Sequence, residues 1–215
     1  MINLERRKEI PASLLRQNPS YRAADILQAF DEDFHSKCYL TEYKAPANSH
    51  FFEVDHFISQ SEAPELAYEW TNLFPIYESA NKIKPKKTPE GGYLNPCYDD
   101  VESEIIYSYS SITSEITFKA KNPINTKSKN TVILLMTLHN GRENEDSKMK
   151  AKNLQALINE KSIQVSELIT NWKRDKSNEA INRKLKEMLS RKSAFTMLLR
   201  SMSIVRNNIP QSMLD

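Results

Sequence analysis

Glycine is scarce in this chain, with three residues in 215, and two of those are adjacent at Gly91-Gly92. A loop that cradles phosphate with backbone amides needs several glycines in a short span, so a nucleotide-hydrolysing fold of that type is excluded. If ATP is used, another chain supplies it. Cysteine is scarcer still: Cys38 and Cys97 are alone, and neither has a partner at a ligand spacing. Such isolated thiols suit a reducing compartment. Long apolar runs are missing too. The longest plain one, Val132 to Met136, is far below the roughly 20 residues that span a bilayer. The opening stretch MINLERRKEIPASLLRQN has basic residues but no apolar core of the kind a signal peptide needs. These absences lead us to expect a cytoplasmic protein with no membrane contact.

What is present fits a globular chain. Hydrophobic residues make up 39% and charged residues 27%, with a net charge of +2. That balance argues against disorder. It leaves nucleic-acid binding open, because the placement of positive charge matters more than its total. The length allows one sizeable domain, or a small domain with an appendage.

Along the chain, residues 1 to 19 read as an extended or partly helical lead, since Pro11 and Pro19 limit any helix. Ser20 to Asp33 reads as a helix with Ser20 as its cap and Ala23, Ala24, Ile26, Leu27 and Phe30 on its apolar face. Residues 85 to 100 form a loop punctuated by Pro and Gly. Residues 104 to 109 and 114 to 119 are β-rich runs that read as a hairpin, and 119 to 130 read as a polar loop. From Thr131 the pattern is helical. One helix ends at Asn140-Gly141, another covers Met149 to Trp172, and a last helical region covers Ser177 to Met202. There is no internal repeat.

The chemistry concentrates between Lys37 and Lys84, in KCYLTE, FFEVDHF and WTNLFPIYESANKIK. Asp55 and His56 end an apolar run, Asn72 follows a tryptophan, and Asn81 sits in a short polar helix-like segment. Cutting a phosphodiester requires a base for the attacking water, which His56 can provide. It also requires a cation at the phosphate, which Asp55 and Asn81 can hold through oxygen. An unperturbed imidazole titrates near ~6.5 and must be neutral to act as a base, so activity should fall in acid.

D-H, then W-x-N-L, then N-x-x-K resembles the motif of the HNH endonucleases, the ββα-metal finger, in a His-Asn-Asn variant carried by His56, Asn72 and Asn81. The resemblance implies a first strand over Phe51 to Phe57, a second over Leu73 to Ile76 and a helix over Tyr77 to Lys84. It implies catalytic roles for His56 and Asn72, the latter tying loop to strand so that His56 faces the phosphate. Asp55 and Asn81 would bind one divalent metal, Mg²⁺ or else Mn²⁺. Relatives often carry two zinc-binding Cys pairs here. This chain keeps only Cys38 of the four thiolates, with Thr41, Tyr77 and Ala80 at other positions, so no structural zinc is expected. DFHSKCYLTE, YLNPCYDD, Thr131 to Asn140 and Lys192 to Arg200 extend the likeness to the PtuB-type nuclease subunits of Septu antiphage systems. That likeness implies an ABC-type ATPase partner.

Lys82, Lys84, Lys86 and Lys87 form a basic run beside Asn81, read as phosphate-backbone contacts or as a solvated loop. Lys119, Lys121, Lys127 and Lys129 are a weaker second set. Cys97 reads as a buried thiol, and Glu42 and Glu53 as solvated carboxylates or outer-shell groups of the metal. His35, His50 and His139 read as structural or surface residues. The stripe from Val165 to Leu199 reads as core, with part of it an alternative docking face. The expected architecture is α+β. Residues 1–34 form a helical lead, 35–100 the HNH core, and 101–215 a hairpin with a mostly helical region. The expected function is metal-dependent hydrolysis of nucleic acid, DNA before RNA or tRNA. The alternative outside catalysis is an idle nucleic-acid-binding or assembly subunit.

Overall fold

The structure is a computed structural model that describes residues 1–44, 52–141 and 144–215. His50, and Phe51 as the start of a strand, lie outside the described residues. The chain is α+β, with helices beside two separate antiparallel pairs of strands.

Before the first helix the lead contains one 3₁₀ turn, Ala12–Leu15. Helix α1 (Ala24–Phe34) buries Ile26, Ala29, Phe30 and Phe34, a helical spacing that puts all four on one face. It starts later than Ser20 suggested. Ser20 accepts from Ala23 N through its carbonyl (3.1 Å) and from Arg22 N through its hydroxyl (3.3 Å), making a turn ahead of the helix in place of a cap. The helix ends at His35, which is left-handed at φ 56°.

Strands β1 (Phe52–His56) and β2 (Leu73–Tyr77) pair antiparallel, with Asp55 opposite Phe74 and His56 opposite Leu73. Pro75 is tolerated because the sheet has only two strands. Helix α2 (Glu78–Ile83) follows β2 directly and stops at Lys84, whose ψ of 130° is the extended backbone that Pro85 imposes on its predecessor. After the short helix α3 (Val101–Glu104), strands β3 (Ile105–Tyr109) and β4 (Ile116–Ala120) make the expected hairpin. Ile105, Tyr107 and Tyr109 are buried, in the alternation of a half-covered sheet.

Helix α4 (Thr126–Asn140) takes in the last five residues of the expected polar loop, because Asn125 caps it by accepting from Ser128 N at 3.3 Å. It ends at Gly141, φ 82°. Helix α5 covers Glu145–Arg174 and α6 covers Glu179–Leu189. The single helical region expected to Met202 is broken. After Ser190–Phe195 come α7 (Thr196–Ser201) and α8 (Ser203–Asn208). The break is stable because its carbonyls find side-chain donors: Thr196 Oγ1 reaches Ser190 O (2.8 Å) and Ser193 O (2.9 Å), and Arg200 Nε reaches Leu189 O (2.7 Å).

A continuous core runs from the lead through β2 and the second hairpin to α8. Leu198, Leu199 and Met202 are buried in it, so that part of the apolar stripe is core. Arg6 packs against this core, partly buried. The guanidinium lies 4.9, 4.5 and 4.5 Å from the ring centres of Phe34, Trp70 and Phe74, and it donates to the carbonyls of Trp70 and Leu73. Rings and carbonyls together replace part of the hydration the guanidinium loses, and burial still lowers its pKa. Cys97 is only partly buried, not fully, and burial pushes its thiol up although Arg6 opposes this. Among the described residues no helix is long and apolar enough to cross a membrane.

Candidate active site

Strand alternation puts Glu53 and Asp55 on one face of β1, and helical spacing puts Asn81 and Lys84 on one face of α2. The two faces meet. Asn81 Nδ2 donates to Glu53 Oε2 at 2.6 Å, and Lys84 Nζ donates to Asp55 Oδ2 at 2.6 Å. Glu53 can only accept, so the Asn81 amide must present its nitrogen there and keep Oδ1 as an acceptor. Asp55 Oδ2 also accepts from the buried Tyr39 hydroxyl at 2.6 Å. Burial, reinforced by the Asp55 carboxylate, lifts the Tyr39 phenol well above its ordinary range, so it remains a donor. Among the described residues no hydrogen bond reaches Asp55 Oδ1.

His56 is held from the other side. Its Nε2 lies 2.9 Å from Ala67 O. A carbonyl can only accept, so in the neutral ring Nε2 carries the hydrogen and Nδ1 carries the free lone pair. The same carbonyl accepts from Tyr21 OH at 3.0 Å, and the Tyr21 ring meets the imidazole edge-on at 5.3 Å. Desolvation, then Tyr68, raises the Tyr21 phenol to about 12, so this hydroxyl stays a donor as well.

Asn72 fixes the turn between them. Its Oδ1 accepts from Ile58 N (2.8 Å), and its Nδ2 donates to Ile58 O (3.0 Å) and Leu66 O (3.2 Å). The residue is buried and its backbone carbonyl accepts from Phe57 N. The end of β1 and the segment bearing Ala67 are thereby tied through one side chain.

A cleft of about 560 Å³ opens on this arrangement, lined by Asp55, His56, Asn81, Lys82, Lys84 and Lys86 among others. The structure therefore brings Asp55, His56, Asn81 and three of the four lysines to one place, while Asn72 stands behind it. The lysines differ in state. Lys84 is nearly enclosed, bonded to Asp55 and to His56 O (2.8 Å). Lys82 is exposed and ion-paired with Glu78, and Lys86 and Lys87 are exposed. Of the second basic set, Lys127 pairs with Asp99.

No group of three or more His, Cys, Asp or Glu among the described residues could hold a metal ion. The oxygens of Asp55 and Asn81 are hard donors that suit Mg²⁺ or Mn²⁺ if water and phosphate complete the shell. At the positions of the missing cysteine pairs, Cys38, Thr41 and Ala80 are buried and Tyr77 packs on Tyr43 at 4.5 Å. Two further expectations need correction. Glu42 is not solvated: it is buried between the Met1 ammonium (2.9 Å) and Lys37 (3.8 Å). Burial alone would raise its carboxyl, but those cations prevail and lower it. Glu53 is half-buried and engaged by Asn81. Sequence reasoning missed Tyr39 and Tyr21. Their neighbours in the chain show no periodicity or spacing that would have marked them.

No protein-family model matches the chain, and comparison with curated proteins and with solved structures returns no match.

Proposed function

We propose that this chain is a metal-dependent endonuclease of the HNH kind, hydrolysing phosphodiester bonds of nucleic acid, DNA in the first place, at the β1–β2–α2 unit. The observation that carries the reading is the Ala67 carbonyl on His56 Nε2, which leaves Nδ1 as the free acceptor of a ring that lines the same cleft as Asp55 and Asn81. In this reading His56 Nδ1 removes a proton from the attacking water as its oxygen bonds to phosphorus. The bond to the leaving 3′ oxygen breaks, and that oxygen is protonated from solvent. The Nε2–H···O bond supports the imidazolium as it forms. Asp55 and Asn81 would hold a divalent cation, whose chemistry is to stabilise the pentavalent phosphate and the leaving oxygen. Tyr39 and Lys84 fix the Asp55 carboxylate, and Lys82, Lys86 and Lys87 meet the phosphate backbone. The sequence likeness to Septu nuclease subunits adds an antiphage role with an ABC-type ATPase partner.

The test is cleavage of plasmid, single-stranded DNA and total RNA with Mg²⁺ or Mn²⁺, with chelator, and with His56→Ala. Metal-dependent cutting that falls by about 10²–10⁴ in the variant supports the reading, and the arms separate DNA from RNA or tRNA. A second reading, an idle binding or assembly subunit, is favoured by one observation: Lys84 already supplies Asp55 with a cation. It predicts equal binding by wild type and His56→Ala with no turnover in either, even with the ATPase added.

A further inference from the structure

The segment that orients His56 also carries an exposed ring. Tyr68 directly follows the Ala67 carbonyl and is 44% exposed. One face of its ring stacks on Tyr21, with centres 5.1 Å apart and planes 18° apart, and Tyr21 in turn stands edge-on to His56. Two ring-to-ring steps therefore link the candidate base to an aromatic surface open to solvent. Tyr21 cannot swing away, because its hydroxyl is held by Ala67 O and by Gln60 Nε2 (2.8 Å), and Gln60 lines the cleft. Lys82 and Lys86 line the same cleft as Gln60. Cations in the cleft and a braced π-face joined to it through Gln60 and Tyr21 match the two halves of a nucleotide, its phosphate and its base.

We propose that Tyr68 is a stacking platform for an unpaired base next to the scissile phosphate, so that the substrate at the cut is single-stranded. This rests on the nuclease reading and sharpens it. A base within a duplex has both faces covered by its neighbours and offers nothing to Tyr68. A base in a loop, bubble, overhang or free strand does. A strand running along the lysines places successive bases to one side, and a ring two steps from His56 can meet the base of a nucleotide adjoining the bond that is cut. Stacking alone tolerates any base, so weak sequence preference is expected at that position.

The experiment is fluorescence anisotropy in chelator, so that nothing is cut, with labelled oligo-dT, oligo-U and a blunt DNA duplex of the same length. Wild type is compared with Tyr68→Ala, Tyr68→Leu and Tyr68→Trp, each checked by thermal melting. We expect wild type to favour the single strands. Tyr68→Ala and Tyr68→Leu should lose about ten-fold in affinity for them with the duplex unchanged, and Tyr68→Trp should keep it. The leucine variant retains apolar bulk, so a loss common to both substitutions reports the π-face and not a collapsed loop. Single-strand affinity unaltered in Tyr68→Ala, or wild type preferring duplex, overturns the proposal. Tyr68-dependent binding without metal-dependent cutting, even with the ATPase added, would sink the nuclease reading alone. Duplex cutting that ignores Tyr68 would sink the platform alone. No binding to any oligonucleotide would sink both.

Discussion

Asn72 satisfies three backbone groups from one buried amide, so its loss should be felt well beyond its own volume. Asn72→Ala strands the Ile58 amide and two carbonyls, and a destabilisation of about 2–4 kcal/mol is expected in urea unfolding. A loss below about 1 kcal/mol would mean that the turn holds without the tie. Lys84 makes a different case. Its ammonium and the Asp55 carboxylate are both nearly enclosed, so removing one partner leaves the other buried and uncompensated. Lys84→Met should cost about 3–5 kcal/mol, with part restored in Asp55→Asn/Lys84→Met. Mg²⁺ or Mn²⁺ should raise the melting temperature of Lys84→Met more than that of wild type, because the carboxylate then lacks its resident cation. Equal shifts would argue against metal at Asp55. At this scale the sequence was informative where spacing carries meaning: Asp55, His56, Asn72 and Asn81 stand out by their order. Tyr39 and Tyr21 reach the site from 16 and 46 residues away from their acceptors, and no local pattern records such approaches.

Elements were legible where hydrophobic period and turn residues agree. The hairpin of β3 and β4 is of this kind, whereas β1, β2 and α2 were expected from the resemblance to a known motif. Boundaries set by a single side-chain bond were not. Asn125, Asn144 and Asn178 each accept from the amide three residues on and start α4, α5 and α6. Only bond geometry distinguishes such an asparagine from one in an ordinary loop. Asn178→Ala should therefore destabilise by about 1 kcal/mol, with Asn178→Asp close to wild type, as read by chemical denaturation. An alanine variant as stable as wild type would show that α6 is held by packing alone. The break between α6 and α7 was hidden for a related reason. Its apolar residues continue at helical spacing, and the bonds of Thr196, Arg200 and the distant Lys37 to carbonyls of the break make the interruption tolerable.

For the molecule as a whole, acid stability should depend on His139. The ring is buried, its Nδ1 lies 2.8 Å from Leu135 O, and Phe118 packs on it at 4.9 Å. Burial lowers its pKa from 6.5 to about 4. The folded state therefore binds this proton less readily than the unfolded one. The stability involved is fully present above pH 6.5 and is lost as pH falls towards 4. The difference corresponds to about 3 kcal/mol. Replacing His139 with Met should flatten the fall in stability between those pH values, measured by denaturant titration across the range. A variant with the same pH slope as wild type would show that other groups carry it.

Arg6 gives the molecule an order of assembly in time. It precedes its two carbonyl partners by 64 and 67 residues, so during synthesis the guanidinium emerges long before the rings and carbonyls that enclose it. The first hairpin thus arrives in the presence of the cation that fills its base. The nascent chain holds the key before the lock exists, and closure around Arg6 can follow once Phe74 has left the ribosome.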